Sequence, residues 1–225
     1  MRREEKAPAR SAAEFLPSRL EWPSLRAAAA GCRGCELYRR ATQTVLGEGP
    51  ARARIMMIGE QPGDQEDREG HPFVGPAGGL LDRACAEAGL ERSAIYLTNA
   101  VKHFKWAPRG SRRFHQHPTR AEIRACRPWL EAETRLLRPQ LIVCLGASAA
   151  QALFGPGFRV TRMRGQLLDA SRLPQPLPVA AALLATVHPA SILRMPDRDE
   201  RHREFARFAA DLRQAARFLA SPRAA

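Results

Sequence analysis

Four uninterrupted apolar runs punctuate the chain: "ARIMMIGE" (53–60), "AIYLTNAV" (94–101), "QLIVCLG" (140–146) and the opening of "LLATVHPASILR" (183–194). Runs this short, bounded by Gly, Pro and polar residues, predict strands buried on both faces, because a strand with one wet face alternates instead. The stretches between them carry helical spacing. "GPAGGLLDRACAEAGL" puts Leu80, Leu81, Ala84 and Cys85 on one face and stops at Gly89. "PTRAEIRACRPWLEAETRLLRP" begins with Thr119 and Glu122 in capping-box spacing. "EWPSLRAAAAGC", "ASAAQALFG" and the segment opening "DERHREFARF" predict further helices. Strands alternating with helices predict an α/β fold, a three-layer α/β/α sandwich around a central four-stranded parallel sheet. A single domain over residues 23–217 follows, with flexible tails at 1–22 and 218–225, where the chain is rich in Ala, Arg and Pro.

Composition adds a partner. The formal charge of +13 points to a polyanion. Of 36 basic residues only Lys6, Lys102 and Lys105 are lysine, an arginine bias that a GC-rich genome would also produce. No apolar run approaches a membrane span and the N-terminus lacks an apolar secretory core, so a monomeric cytoplasmic protein is expected. Five cysteines in such a chain argue against a disulfide framework and for metal binding at the close pair Cys32 and Cys35.

Parallel sheets place ligands beyond the carboxyl ends of their strands. Those ends read "GEQPG", "TNAVKH", "LG" and "VHPAS", so Glu60, Gln61, Asn99 and His188 are expected around one crevice. Asn99 carries the paired donor and acceptor that suit a base edge, or else closes a turn. Phe73 offers a face for a planar ligand, or else fills the core. His188 offers a donor to a developing anion, or else a structural contact. Cys85 and Cys144 read as small core hydrophobes.

Together these pieces are specific. "GEQPGDQEDREGHPFVGPAGGLLD", "YLTNAVKH" and "VHPAS" resemble the motifs of uracil-DNA glycosylases of the iron–sulfur family 4 type, a resemblance running from about Cys32 to Phe208. It implies the fold of those enzymes, uracil-containing DNA as partner, and uracil as the leaving base. It also implies a 4Fe–4S cluster. Cys32 and Cys35 of "CRGC" and Cys126 of "EIRACRPWL" match three of its ligands, and His103 stands where the fourth cysteine is expected.

The segment "FKWAPRGSRRFHQHPT" is longer and more basic than the corresponding family 4 loop. With His103 for cysteine, Gln61 after Glu60, and a loop ending in "RRFH", the chain resembles the UdgX group. In that group the histidine of a KRRIH-like loop bonds to the DNA once uracil has left. The match falls on His115, with Ser111 in place of Lys and Phe114 in place of Ile. The implied roles are His115 as nucleophile, Glu60 orienting it, and His188 facing the uracil anion, with Phe73 and Asn99 holding the base. Arg113 and Arg194 would hold phosphates or fill the gap left by the extruded base. His117, next to Pro118 and the helix cap, reads as structural. Two other functions stay open: a conventional multiple-turnover glycosylase, and a non-catalytic module that binds damaged DNA.

Overall fold

The structure is a computed structural model that describes residues 11–172 and 182–221. Its four parallel strands are the four apolar runs: β1 (Ile55–Gly59), β2 (Ile95–Asn99), β5 (Leu141–Leu145) and β7 (Ala182–Thr186). All residues of the first three are buried, as unbroken apolar sequence requires of strands covered on both faces. The order across these four is β2-β1-β5-β7, with one more short strand beyond β7. The edge strand β6 (Leu167–Asp169) runs antiparallel to β7, so among the described residues the sheet has five strands rather than four. With three residues and two of them exposed, β6 has no periodicity to read.

Alternate residues of each strand serve opposite layers. Met57, Leu97, Val143 and Leu184 pack with helices α3 (Pro76–Glu87) and α8 (Arg198–Ala220). Met56, Tyr96, Ile142 and Leu183 pack with α4 (Arg120–Leu137) and α5 (Ala147–Phe154). This is the predicted α/β/α sandwich. The capping box that opens α4 is present, with Glu122 N–H donating to Thr119 Oγ1 (3.3 Å) and Thr119 N–H to Glu122 Oε2 (2.6 Å). Cys85 and Cys144 are buried in the two layers, and burial pushes both thiols up to about 12.

The expected tails are shorter than the sequence suggests. Residues 11–21 hold a single 3₁₀ turn (Ala12–Phe15) that packs on α4, with Ala12 buried beside Leu25 and Trp129. A Cβ at Gly34 would meet the Ala12 nitrogen at 2.5 Å, so the glycine of "CRGC" lets this turn close over the cysteine pair. At the other end α8 continues to Ala220, and Phe218 and Leu219 pack on the core. Polar, alanine-rich sequence hid both contacts; the rest of the predicted tails, 1–10 and 222–225, lies outside the described residues.

One buried ionic network crosses the α4 face. Lys102 Nζ donates to Glu133 Oε2 (2.6 Å), Thr98 Oγ1 (2.6 Å) and the Asn99 carbonyl (2.7 Å). Glu133 Oε1 also accepts from Gly47 N–H, Tyr96 and Thr98. Both charges are fully buried, and these added hydrogen bonds are what makes such a pair tolerable.

Candidate active site

A cleft of about 470 Å³ opens beyond the carboxyl ends of β1, β2, β5 and β7, where the sheet geometry puts ligands. Its walls include Glu60 just after β1, Phe73 from the turn before α3, Asn99 at the end of β2 and His188 just after β7. Register fixes two of them. Gly59 pairs with Asn99 at the ends of β1 and β2. A Cβ on Gly59 would lie 2.3 Å from Asn99 Oδ1 and 2.7 Å from Phe73 Cζ, so only glycine lets the amide and the ring meet there. Phe73 adopts a left-handed backbone (φ 58°), a strained conformation for a bulky residue and one that occurs at ligand clamps. Its ring stacks on His188 at 6.3 Å between centroids. The result is a flat slot with a donor–acceptor amide at its end.

His188 caps α7 (Pro189–Leu193), with Nδ1 accepting the Ala190 N–H at 3.1 Å. That bond assigns the proton to Nε2, so the ring is a neutral Nε2–H donor. Burial drives its pKa down to about 4, outweighing the upward pull of Glu60; Arg194 and His115 push the same way as burial. The imidazole therefore stays neutral at physiological pH.

The basic segment is a hairpin, not a loop: β3 (Trp106–Arg109) pairs antiparallel with β4 (Arg112–His115) across a two-residue turn at Gly110 and Ser111. Gly110 has φ 60°, the positive value such turns need. "WAPR" and "RRFH" lack alternating apolar residues because no residue of either strand is fully buried, which hid the hairpin from sequence patterning. Arg113, expected at phosphates, is instead committed to protein. Its guanidinium bonds Asp64, the carbonyl of that residue, and the buried Asp67. Asp64 opens α2 (Asp64–Glu69), so the arginine clamps the hairpin to the loop after β1.

Gln61 is likewise turned to the hairpin. Its amide donates to the Gln116 carbonyl (2.9 Å) and the Lys105 carbonyl (3.3 Å), and accepts from Lys105 N–H (3.1 Å). Its neighbour Glu60 then faces the two histidines flanking Gln116. His117 Nδ1 lies 2.9 Å and 3.1 Å from the two Glu60 oxygens, whereas His115 Nε2 lies 3.6 Å away. Glu60 thus makes its hydrogen bond to His117, the residue that sequence position marked as structural. One signal for it was available: residues two apart in an extended segment share a face, so "HQH" presents both rings to one side. His115 lines the cleft, and its pKa is lowered by burial against the pull of Glu60, with His117 and Arg194 adding to the lowering. Arg194, exposed at the end of α7, also borders the cleft.

Cys32, Cys35 and Cys126 belong to one apolar cluster beneath α4 and the N-terminal turn. Trp129 Nε1–H donates to Cys32 Sγ and Lys102 N–H to Cys126 Sγ, each at 3.2 Å, the kind of contact that tunes iron–sulfur thiolates. Burial raises the Cys126 thiol to about 12, against the pull of Lys102, so its thiolate calls for a cation. His103, adjoining Lys102, is buried with Nε2 2.9 Å from Thr44 Oγ1; burial lowers it to about 4, keeping the ring neutral as a ligand must be. The three sulfurs gathered in one cluster form a donor set whose chemistry fits an iron–sulfur cluster, while His103 turns Nε2 to Thr44.

An aromatic ring, a donor–acceptor amide and a neutral histidine donor thus meet at the carboxyl edge of a parallel sheet. Residues 46–213 match the family model of the uracil DNA glycosylase superfamily, and the chain belongs to that superfamily. Among its relatives, the type-4 uracil-DNA glycosylase of Archaeoglobus fulgidus is 36% identical over 179 residues, covering 77% of this chain and 84% of that protein. The type-4 enzyme of Pyrobaculum aerophilum is 35% identical over 178 residues, covering 79% and 87%. The type-5 uracil-DNA glycosylase of Thermus thermophilus is 33% identical over 159 residues, covering 64% and 68%.

Proposed function

We propose that the protein excises uracil from DNA and that His115 then captures the sugar, leaving the protein covalently attached to the abasic site. The base is extruded into the cleft, stacks on Phe73, and presents its Watson–Crick edge to Asn99. The glycosidic bond breaks with its electron pair moving onto uracil, whose developing anion accepts a hydrogen bond from the Nε2–H of His188. Donors of this kind supply a few kcal/mol to charge development. The unprotonated Nε2 of His115 donates its lone pair to the cationic C1′, forming a C–N bond. The imidazolium so formed lies beside the Glu60 carboxylate and becomes neutral by losing its Nδ1 proton to solvent.

The observation that carries this reading is His115 Nε2, at the cleft and 3.6 Å from Glu60, on a hairpin clamped by Arg113 and Gln61. Cys32, Cys35, Cys126 and His103 would hold a 4Fe–4S cluster that ties the N-terminal turn to the strand carrying Asn99 and the hairpin beyond it. Arg194 and the exposed arginines would contact phosphates, giving affinity and salt dependence rather than base choice.

A second reading, turnover by water, is favoured by the hydrogen bond from His117 to Glu60, since a carboxylate so held is poised to orient a water. Incubation with an end-labelled oligonucleotide bearing one uracil, followed by denaturing electrophoresis, separates the two. A band heavier by one protein mass, absent in His115→Ala while uracil release persists, is expected. If no adduct forms and alkali-labile sites accumulate over many turnovers, the protein turns over through water.

A further inference from the structure

At the rim of the cleft Glu60, His115 and His117 bring one ligand atom each to within 4.8 Å of one another. Glu60 Oε1 is 2.9 Å from His117 Nδ1 and 3.6 Å from His115 Nε2. Tetrahedral zinc with bonds of about 2.0–2.1 Å spaces its ligand atoms by about 3.3 Å, so two of the three edges already bracket that value. The triangle is also held by the backbone. Gln61, next to the carboxylate, bonds the carbonyl of Gln116 between the two histidines, and the Gln116 N–H bonds Lys105. Two imidazoles and a carboxylate on one face, with the remaining positions open to solvent, are the donor set of a divalent transition metal. His117 is 77% exposed on its side chain, so an ion can enter from solvent.

We propose that these three residues form a reversible Zn²⁺ site that, when filled, disables the nucleophile. The lone pair of His115 Nε2 that would form the bond to C1′ is then donated to the metal, and Glu60 is neutralised. No bond of the protein or the DNA is made or broken by the ion. Occupancy is a competition between metal and DNA for one nitrogen, so excess metal silences capture and a chelator restores it. The blocking half of this inference rests on the proposed capture by His115; the metal site itself does not.

The test is calorimetric titration of zinc chloride into the protein as purified, alongside His117→Ala and His117→Gln. One ion per chain is expected. Each variant should weaken it at least about 100-fold, since even losing the outer-sphere partner of a ligand costs 10–100-fold. In parallel, adduct yield on the uracil oligonucleotide is compared with and without zinc within each protein. Wild-type yield should fall in zinc and recover with EDTA, and the ratio in His117→Ala should stay near one. Equal zinc affinity in wild type and both variants would overturn the site, placing the ion elsewhere, for example on cysteines. Tight binding lost in the variants but with wild-type capture untouched by zinc would overturn the block. If no adduct forms under any condition, the capture reading fails while the titration still decides the site.

Discussion

The slot proposed to hold the base and the hairpin that carries His115 adjoin one cleft but are built by opposite means. The slot stands on the ends of buried strands: Asn99 is 3% exposed, and its carbonyl is tied to the buried Lys102–Glu133 pair. The hairpin has two four-residue strands, mostly in solvent, with Phe114 47% exposed under Arg109. Packing positions the first; a few polar contacts from the loop after β1 position the second. Two such devices can be broken separately, and the proposed reaction divides along the same line, with excision assigned to the slot and capture to the hairpin.

The largest effect should come from the slot's foundation. Lys102→Met leaves Glu133 as an uncompensated buried charge, a loss of about 3–5 kcal/mol. Thermal or urea unfolding should read it as a sharply lowered midpoint, while the double variant Lys102→Met with Glu133→Leu recovers part of the loss. An unchanged midpoint in the single variant would mean the pair is not the brace described.

Gly59→Ala acts on the slot directly, because its Cβ has no room beside Asn99 and Phe73. Displacements of about 1 Å at a reacting centre cost about 100-fold, and uracil release should slow on that scale. Release at the wild-type rate would contradict the slot as drawn. Arg113→Ala attacks only the hairpin. Freed from Asp64 and Asp67, it should lose about tenfold in adduct yield per uracil released, a small fraction of the 10⁵–10⁸ M available from good orientation. Equal loss in both steps would show that the two regions are not separable.

The smallest effect expected is that of pH. Because burial lowers the pKa of His115, protonation of Nε2 quenches capture at a lower pH than it would for an ordinary imidazole. An ordinary imidazole of pKa about 6.5 would keep only about a quarter of its neutral form at pH 6. Adduct formation should therefore fall by clearly less than three quarters between pH 7.5 and 6. A loss of three quarters over that interval would mean the ring is as solvated as a free one.

Much of this was legible in the residues. Unbroken apolar runs gave four strands, and the carboxyl-end rule brought Glu60, Asn99 and His188 to one place before any coordinates. Other features were not legible, each for a local reason. β6 is three residues on an edge, and the hairpin is a solvent ribbon whose pattern carries no core-facing period. The N-terminal turn is held by small side chains such as Ala12, whose burial hydropathy does not signal.

Sequence by itself therefore determined the layers, the strand ends and the chemical kinds of group around the cleft, because these follow from periodicity and from the direction of parallel strands. Tertiary structure alone decided which partner each polar group took. Arg113 went to two aspartates 49 and 46 residues away, Gln61 to the backbone of the hairpin, and Glu60 to His117 in preference to His115. Hydrogen bonds and ion pairs are short-ranged and directional, so their pairing depends on ångström distances between segments that no linear pattern encodes.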